Sequence, residues 1–440
     1  MNLEPDPSTR GAKQPQSEQA FDVLLEKHTY GGDTIGRLPD GRAVFVPFGL
    51  PGERVRLRLT EEKKNFARGE IVEILEASKD RIPPRCKHFG ECGGCHYQHL
   101  PYEKQLEIKT EILRDQLTRI GKIENPPVQP MVACPEPWNY RNHIQFSLSE
   151  NGRVGFIRSV DGLSPSTSID RLSPSRSILE ITECHLPEPT INDFWPQLQF
   201  ELGTDVERVS LREGNDQLML VLESESPEPP DLEIEADISV THVYEENTVI
   251  IAGSDHILIP VLDRIFKVSA SSFFQVNTAM AEKMVQHLMA RLPITQSTTL
   301  LDIYCGVGLF SAFFASRCKN VIGIESSAPA CEDFVVNLDE FDNVELYEGL
   351  AEEILPGLVG RVSNPPHVIV DPPRAGIERH ALDSIVQLKP QVIAYVSCDP
   401  STLARDARRL IESGYKLKQV TPFDVFPQTY HIESISIFER

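Results

Sequence analysis

Hydrophobic and polar residues alternate in the first part of the chain, from Phe21 to about Ala77. Short runs such as Ala43–Val46 and Arg54–Leu59 follow this rule, and glycine-containing turns such as Asp40–Gly41 separate them. A period of two places every second side chain on the same face, which is typical of a strand with one buried face. The pattern therefore predicts a small all-β barrel in this region.

A different pattern begins beyond about Leu262, where continuous apolar runs alternate with segments of helical periodicity. The predicted strands are Thr299–Ile303, Asn320–Ile324, His367–Val370 and Val392–Val396. The predicted helices are Ala279–Arg291, Leu309–Arg317, Ala328–Asp339 and Thr402–Ser413. Strands that are apolar on both faces and alternate with helices are typical of a parallel α/β sheet with helices on both sides.

The chain thus divides into four predicted parts. Residues 1–20 are rich in Pro, Ser, Gln and charged residues without periodicity, which indicates a disordered tail. Residues 21–79 are expected to form the barrel, and residues 263–440 the parallel α/β domain. Residues 80–262 contain a cysteine-rich segment, an amphipathic helix at Tyr102–Ile120 and further short strands, which predicts a central α+β domain.

The composition is that of an ordinary globular protein, with 40% hydrophobic and 25% charged residues among 440, which is too long for a single core. No apolar run approaches the roughly 20 residues of a membrane helix. Met1–Gln19 also lacks the apolar centre of a signal peptide. We therefore expect a cytosolic monomer without membrane contact, whose nine cysteines are reduced and available for metal binding or catalysis.

The net charge of -22 argues against nonspecific adhesion to RNA, but the charge is unevenly distributed. Arg54, Arg56 and Arg58 are spaced by two in a predicted strand, so their side chains should share one face. The stretch from residue 223 to 246, in contrast, contains many acids and no Lys or Arg. The arginine face could contact phosphates, or it could be the charged surface of a solvated edge strand.

A glycine turn follows the first predicted strand of the α/β region. Gly306 and Gly308 allow the backbone to turn tightly and approach a ligand at the start of the next helix. The third glycine of the dinucleotide fingerprint is missing, which disfavours NAD. Asp302 before the turn suits the ammonium group of S-adenosylmethionine (SAM), and Glu325 after the next strand suits ribose hydroxyls. The alternative is a glycine turn that serves helix packing alone.

Two further strands end in residues suited to chemistry, at Asp371-Pro-Pro-Arg374 and at Ser397-Cys398-Asp399. Because ligands bind beyond the carboxyl ends of parallel strands, Gly306, Glu325, Asp371 and Cys398 should converge on one crevice. We expect the helix that starts after Cys398 to lower the pKa of its thiol. The alternative is a buried structural thiol, the interpretation that applies to the remaining cysteines of this domain, Cys305, Cys318 and Cys331.

Three motifs carry a family resemblance: Asp371–Gly376, Ser397–Thr402 and His431–Ser434. In this order they resemble the class I (Rossmann-like) SAM-dependent uracil-5 methyltransferases of tRNA and ribosomal RNA. The resemblance implies that Cys398 is the covalent nucleophile and Glu433 the base. Phe273–Asn277 is similar to the family segment that contacts the methyl donor, so the resemblance implies SAM binding by Gln275, Tyr304, Glu325 and Asp371.

The N-terminal barrel resembles the RNA-binding TRAM domain, an OB-like β-barrel. The similarity lies in the turns and strands around Gly36, Asp40–Arg42, Phe45–Pro47 and Pro51–Glu53. Basic strands on a small barrel suit contacts with phosphates and bases. The resemblance therefore implies RNA as the partner of this domain.

Four cysteines in the central region, Cys86, Cys92, Cys95 and Cys184, could hold zinc or an iron–sulfur cluster. Their spacing does not decide between these, and zinc is the more frequent metal in general. The segment Cys92–His99, however, closely resembles the [4Fe-4S]-bearing branch of the same family, which methylates 23S rRNA. Cys134 competes for the fourth position, and the resemblance favours Cys184.

The expected function is SAM-dependent methylation of uridine carbon 5, in 23S rRNA rather than in the tRNA T-loop, which related enzymes modify. Two alternatives are weighed against it. An amino-nitrogen methyltransferase would carry an aromatic residue where Arg374 follows the two prolines. A noncatalytic RNA-binding protein or RNA chaperone would not need both Cys398 and Glu433.

Overall fold

A computed structural model describes residues 20–159, 177–201, 203–233, 235–245, 247–362 and 366–440. The predicted disordered tail, apart from Ala20, lies outside the described residues. The chain forms two compact units: one contains the residues up to Thr29 together with Asp33–Lys79, and the other contains Tyr30–Gly32 together with Asp80–Arg440. The predicted boundary between a central and a catalytic domain near residue 262 falls inside the second unit and stays a prediction.

The first unit is the predicted barrel. It closes in the order β1-β2-β3-β5-β4. Its strands are β1 (Ala20–His28), β2 (Thr34–Arg37), β3 (Ala43–Val46), β4 (Arg54–Glu62) and β5 (Phe66–Glu76). Alternate residues of these strands, such as Val44 with Val46 and Val55 with Leu57, are fully buried inside the barrel. The period-two pattern therefore identified both the strands and their inward face.

The three arginines of β4 project to the outside of the barrel, as their spacing predicts, but each guanidinium lies beside a carboxylate of a neighbouring strand. The pairs are Arg54–Glu76, Arg56–Asp22 and Arg58–Glu70. The edge-strand interpretation is wrong, because β4 is hydrogen-bonded to β1 on one side and to β5 on the other. Exposed pairs of this kind stabilise a fold by at most about 1 kcal/mol each, so phosphates could displace the carboxylates.

The second unit contains Tyr30–Gly32, the cysteine-rich segment (residues 86–100) and α1 (Tyr102–Arg119). A seven-stranded sheet follows in the order β12-β11-β10-β9-β6-β7-β8. The elements of this part are β6 (His143–Leu148), β7 (Val154–Ile157), β8 (Ile178–Glu180), α2 (Pro189–Phe194), β9 (Val206–Gly214), β10 (Gln217–Ser224), β11 (Ser239–Tyr244) and β12 (Asn247–Ala252). A hairpin of β13 (His256–Val261) and β14 (Arg264–Ser269) leads into the C-terminal part.

The C-terminal part is a second seven-stranded sheet, in the order β17-β16-β15-β18-β19-β21-β20. All neighbours from β17 to β19 are parallel, whereas β21 runs antiparallel to both β19 and β20. Its strands are β15 (Thr299–Ile303), β16 (Asn320–Glu325), β17 (Val344–Glu348), β18 (His367–Val370), β19 (Val392–Ser397), β20 (Lys416–Phe423) and β21 (Glu433–Glu439). Its helices are α3 (Thr278–Arg291), α4 (Leu309–Phe314), α5 (Ala328–Asn337), α6 (Ala351–Leu358), α7 (Arg379–Leu388) and α8 (Pro400–Glu412).

Helices cover both faces of this sheet. Val368 and Val370 of β18 belong to one hydrophobic cluster and Ile369 between them to the other, and all three are fully buried. Such burial on both faces explains why the strands read as continuous apolar runs. In the part of the chain that the structure describes, no helix is both long and apolar enough to cross a membrane.

Candidate active site

The glycine turn after β15 leaves room for a ligand on one side. Tyr304, Gly306 and Gly308 adopt left-handed backbone conformations, with φ of 63°, 54° and 89°. A Cβ atom added to Gly306 would meet no atom within 4 Å, whereas one added to Gly308 would lie 2.4 Å from Leu338. Gly306 therefore borders open space that a ligand can enter, whereas Gly308 is required because a side chain there would collide with Leu338. The two interpretations of this turn, ligand approach and helix packing, thus each apply to one of its glycines.

Glu325, the last residue of β16, is held against this turn. One of its carboxylate oxygens accepts a hydrogen bond from the Gly306 N–H at 2.9 Å. The other accepts from the N–H groups of Ser326 and Ser327, both at 2.8 Å. Since a carboxylate oxygen has two lone pairs, the oxygen that is bonded to Gly306 can still accept a hydrogen bond from a ribose hydroxyl.

Asp302 lies in β15 and is fully buried. Its Oδ2 accepts hydrogen bonds from Ser311, from the N–H at 3.1 Å and from the hydroxyl at 2.7 Å. Its Oδ1 has no partner among the described residues, and burial raises the pKa of the carboxyl to about 7. A cationic ligand would stabilise the ionised form. The open space at Gly306, the fixed Glu325 and this unpaired oxygen together fit SAM.

Asp371, Cys398 and Glu433 meet at the ends of three neighbouring strands. Asp371 follows β18, Cys398 follows β19, and Glu433 is the first residue of β21. In the antiparallel pairing of β19 with β21, Ser397 lies opposite Ser434. Cys398 directly follows Ser397 and Glu433 directly precedes Ser434, so the antiparallel pairing brings Cys398 and Glu433 together. Their charges interact.

Burial and mutual repulsion raise the pKa of each acidic group in this cluster. The pKa of Glu433 is raised well above its ordinary value by burial and then by Asp371, while Arg374 opposes the shift. The pKa of Asp371 rises to about 7 because of burial and the charges of Asp302 and Glu325. These carboxyls therefore retain protons at a pH at which exposed ones are ionised.

The expectation that the start of α8 lowers the pKa of Cys398 is wrong for the protein without RNA. Burial raises the pKa of this thiol, and the neighbouring Glu433, Asp371 and Asp399 raise it further. Arg374 acts in the opposite direction but does not compensate. The thiol is nevertheless only partly buried, in contrast to the fully buried Cys305, Cys318 and Cys331, which are the structural thiols that the sequence predicts.

Hydrogen bonds on both sides hold the backbone around Cys398. Ser397 Oγ accepts from the Asp399 N–H at 3.2 Å and donates to the Asp399 carbonyl at 3.0 Å. Asp399 Oδ1 caps α8 by accepting from the N–H groups of Ser401 and Thr402. Its Oδ2 accepts a hydrogen bond from the Tyr30 hydroxyl at 2.8 Å.

Sequence reasoning missed two residues of this site, Tyr30 and Arg374. Tyr30 lies 369 positions away from its partner Asp399, and no motif marks it. Arg374 was named in the motif that follows β18, but apart from the missing aromatic residue it was given no role. Its position after two prolines at a strand end, close to two acids, could have identified it as the cation of the site.

Hydrogen bonds from side-chain amides to main-chain carbonyls hold the segment that carries Gln275 against the site. Asn142 Nδ2 donates to the Gln275 carbonyl at 3.1 Å, and Asn277 Nδ2 donates to the Val425 carbonyl at 3.0 Å. Val425 lies in the connection that leads from β20 to Glu433. Tyr304 is partly buried beside the glycine turn, and burial raises its pKa to about 12. The SAM contacts of both residues remain predictions.

The four cysteines assigned to a metal centre line one cavity of about 180 Å³. Cys86, Cys92, Cys95 and Cys184 all face it. The competing Cys134 does not: its thiol donates to the Glu136 carbonyl at 3.1 Å and accepts from Asn277 Nδ2 at 3.3 Å.

The thiols around this cavity are not arranged for a single metal ion. Among residues whose placement is described, no three His, Cys, Asp or Glu side chains converge on one ion position. Burial, followed by the charges of neighbouring thiols, raises the pKa of Cys92 to about 11 and that of Cys95 to about 12. The four groups could therefore be ionised together only around a positively charged centre.

An α/β sheet with this strand order, and with the ligand space at the β15 turn beside Glu325, defines a class I SAM-dependent methyltransferase. Comparisons with known proteins agree. The sequence model of tRNA (uracil-5-)-methyltransferases matches residues 247–440, and that of the TRAM domain matches residues 17–72.

Relatives of similar length match nearly the whole chain in sequence. An uncharacterised RNA methyltransferase of Halalkalibacterium halodurans is 33% identical over 453 residues, covering 95% of this chain and 96% of the relative. Another, from Caldanaerobacter subterraneus, is 34% identical over 446 residues, covering 96% and 98%. The chain belongs to the RNA (uracil-5-)-methyltransferase family and uses SAM as its methyl donor.

A solved structure supports the fold. The tRNA (uracil-54, C5)-methyltransferase of Pyrococcus abyssi, in complex with S-adenosyl-L-homocysteine, is 26% identical with a TM-score of 0.69. The alignment covers 94% of this chain and 99% of the archaeal one. The comparisons thereby confirm the predicted family with its TRAM domain, the predicted fold class and the predicted enzyme class.

The raised thiol pKa can be tested by alkylation of Cys398 with iodoacetamide between pH 7 and 10, followed by peptide mass spectrometry. Only the thiolate reacts, so in the wild type the rate should increase with pH throughout this range. Asp371→Asn removes a negative charge that raises the thiol pKa, and its rate profile should move towards lower pH. The exposed Asp383→Asn is the control and should leave the profile unchanged. A shift of the Asp371→Asn profile towards higher pH, or none, would contradict the electrostatic account.

Proposed function

We propose that this protein methylates carbon 5 of a uridine in 23S rRNA through a covalent bond between Cys398 Sγ and carbon 6 of the base. The observation that carries the proposal is the meeting of the Cys398 thiol and the Glu433 carboxyl at adjoining strand ends, beside the SAM-compatible turn. The cytosol is its proposed location. That the protein is a monomer stays a prediction.

The chemistry needs both groups because carbon 5 of uracil is a weak nucleophile. Addition of the Cys398 thiolate to carbon 6 converts the ring into an enolate whose carbon 5 can form a bond to a methyl group. The bound donor supplies that methyl group as an electrophile. Glu433 then takes the proton from carbon 5, the double bond between carbons 5 and 6 re-forms, and the thiolate leaves carbon 6.

The electrostatics of the site support these roles. The raised pKa of Glu433 makes its ionised form a stronger base than an exposed glutamate. Arg374 is the cation that opposes the raised pKa of both Cys398 and Glu433. A substrate-induced approach of Arg374 to the thiol would therefore favour the reactive thiolate.

RNA that contains 5-fluorouridine tests the covalent step, because fluorine at carbon 5 cannot leave as a proton does and the adduct is trapped. Wild-type protein with SAM and fluorinated 23S rRNA should give a complex that survives denaturing electrophoresis. Cys398→Ala should give none, and Cys318→Ala, which removes a buried thiol outside the site, should behave as wild type. Failure of the wild type with every RNA would favour the noncatalytic alternative.

The same experiment distinguishes the two candidate RNAs. The solved relative from Pyrococcus abyssi is named for methylation of tRNA at uracil 54, which makes tRNA the second candidate. The cysteine-rich segment supports rRNA, because it resembles the branch of the family that acts on 23S rRNA. An adduct with fluorinated tRNA and none with 23S rRNA would reverse the order of the two candidates.

Glu433→Gln should slow the release of methylated RNA by about 10²- to 10⁴-fold, because no base removes the carbon 5 proton. Covalent complex with ordinary RNA should then accumulate and can be quantified by denaturing electrophoresis. Glu439→Gln, at the exposed far end of β21, is the matched control. Wild-type turnover in Glu433→Gln would refute the assignment of the base.

We further propose that Cys86, Cys92, Cys95 and Cys184 hold a [4Fe-4S] cluster. All four cysteines line one cavity, which supports a shared centre. The resemblance of Cys92–His99 to the [4Fe-4S]-bearing branch of the family favours the cluster over zinc. The cavity wall also contains apolar residues such as Phe89 and Ile144, which suit a shielded cluster.

Iron analysis of protein purified without oxygen tests the cluster. Wild type should be brown and contain iron, Cys86→Ala should lose both, and Cys134→Ala should retain both because its thiol lies outside the cavity. Stoichiometric zinc in the wild type would overturn the cluster. Loss of iron in Cys134→Ala but not in Cys184→Ala would overturn the choice of the fourth ligand.

A further inference from the structure

The connection from Asp424 to Ile432, which joins β20 to Glu433, is buried although it has no regular secondary structure. Asp424, Gln428 and Thr429 are at most 2% exposed. A buried polar group without a hydrogen-bond partner destabilises the folded state, so buried polar groups are usually paired. The position of Glu433 therefore depends on the residues that satisfy this connection.

The cysteine-rich segment provides two of the partners. The N–H groups of His96 and Tyr97 both donate to the Gln428 carbonyl, at 2.8 and 3.0 Å. His96 directly follows Cys95, which lines the cysteine cavity. Only a few covalent bonds and one pair of hydrogen bonds thus separate a cavity cysteine from the connection that ends at Glu433.

The side-chain amide of Gln105 makes two hydrogen bonds to Gln428, one to its side chain and one to its main chain. Gln105 Nε2 donates to Gln428 Oε1 at 2.9 Å, and Gln105 Oε1 accepts from the Gln428 N–H at 3.0 Å. Gln105 Nε2 also lies 3.1 Å from the carbonyls of Tyr97 and Leu100. One amide therefore bonds both to the cysteine-rich segment and to the connection.

Gln428 adopts a left-handed backbone conformation with φ of 68°, which is unfavourable for a residue other than glycine. Such conformations persist where surrounding contacts hold them. The bonds from His96, Tyr97 and Gln105 are the contacts that hold Gln428 in place.

A second residue of α1 reinforces the attachment. Lys109, one helical turn after Gln105, is fully buried and pairs with Asp424 Oδ1 at 2.5 Å. It also donates to the Phe426 carbonyl at 3.0 Å. One face of α1 thus binds both the start and the middle of the connection.

We infer that Gln105 and Gln428 are positioning residues that hold Glu433 in place for the release step by attaching its connection to α1 and to the cysteine-rich segment. The inference rests on the proposed function, in which Glu433 removes the carbon 5 proton. Neither glutamine touches Cys398 in these contacts, so their loss should leave addition and methyl transfer intact and slow only the steps that need Glu433.

Gln428→Gly and Gln105→Ala are the test variants, assayed with SAM and unmodified in vitro transcripts of 23S rRNA and tRNA. Glycine adopts the left-handed conformation without steric cost, so the first change removes the side-chain bonds of Gln428 to Gln105 and Pro137 and retains its main-chain N–H and carbonyl. Release should slow by about 10- to 100-fold, the size expected for a misplaced catalytic group. Covalent protein–RNA complex carrying the new methyl group should accumulate, as measured by denaturing electrophoresis and mass spectrometry.

Two controls separate positioning from folding. Thr110→Ala lies on the same helix, where the hydroxyl bonds only to the Leu106 carbonyl among the described contacts, and should behave as wild type. Gln428→Asn retains an amide and tolerates positive φ, so it should accumulate less complex than Gln428→Gly. Thermal unfolding of every variant shows whether the fold is retained.

Glu433→Gln is assayed in parallel. If it accumulates no complex, the proposed role of Glu433 is wrong and this inference falls with it. If it does accumulate complex, the inference alone is wrong when the glutamine variants turn over normally. It is also wrong when they lose complex formation and turnover together, because that pattern indicates general structural damage.

Discussion

The antiparallel pairing of β21 with β19 is the contact on which the active site depends. In a sheet of parallel strands only, the C-terminal strand would enter from the opposite edge, and Glu433 at its start would lie far from the ends of β18 and β19. Because β21 runs in reverse, its first residue lies beside the residue that follows β19. A thiol and a carboxyl from distant parts of the sequence are thereby placed on one edge of the sheet.

The same edge concentrates acidic groups where water is largely excluded. Asp302, Asp371 and Glu433 are buried or partly buried and have raised pKa values, and Cys398 shares this field. Arg374 opposes the pKa shifts of Cys398 and Glu433, but only in part. Such an arrangement is unfavourable in the protein alone and suits a positively charged donor, because the donor would relieve repulsion that the fold otherwise retains.

The central part of the chain contributes to the site through the same physical requirement. A buried connection without secondary structure leads to Glu433, and α1 and the cysteine-rich segment hydrogen-bond several of its polar groups. The cysteine cavity lies next to that segment. The contacts of that segment thus bear on the position of Glu433, which belongs to another sheet.

Local sequence patterns were sufficient for much of this protein. Period-two alternation identified the barrel strands, and β15 and β18 have the bounds that the apolar runs predict. The glycine turn, Asp371 and Cys398 were recognisable because each directly follows a strand. The spacing of the cysteines indicated a metal site, and the preference for Cys184 over Cys134 as its fourth residue came from the resemblance to a known family.

Tertiary structure decided what depends on residues far apart in the sequence. The Tyr30–Asp399 bond and the Gln105–Gln428 pair join residues more than 300 positions apart, and no local pattern encodes such a contact. The pKa of Cys398 was predicted in the wrong direction for the same reason. The adjacent helix start is visible in the sequence, whereas burial and the charges of Glu433 and Asp371 arise only when separate strands meet.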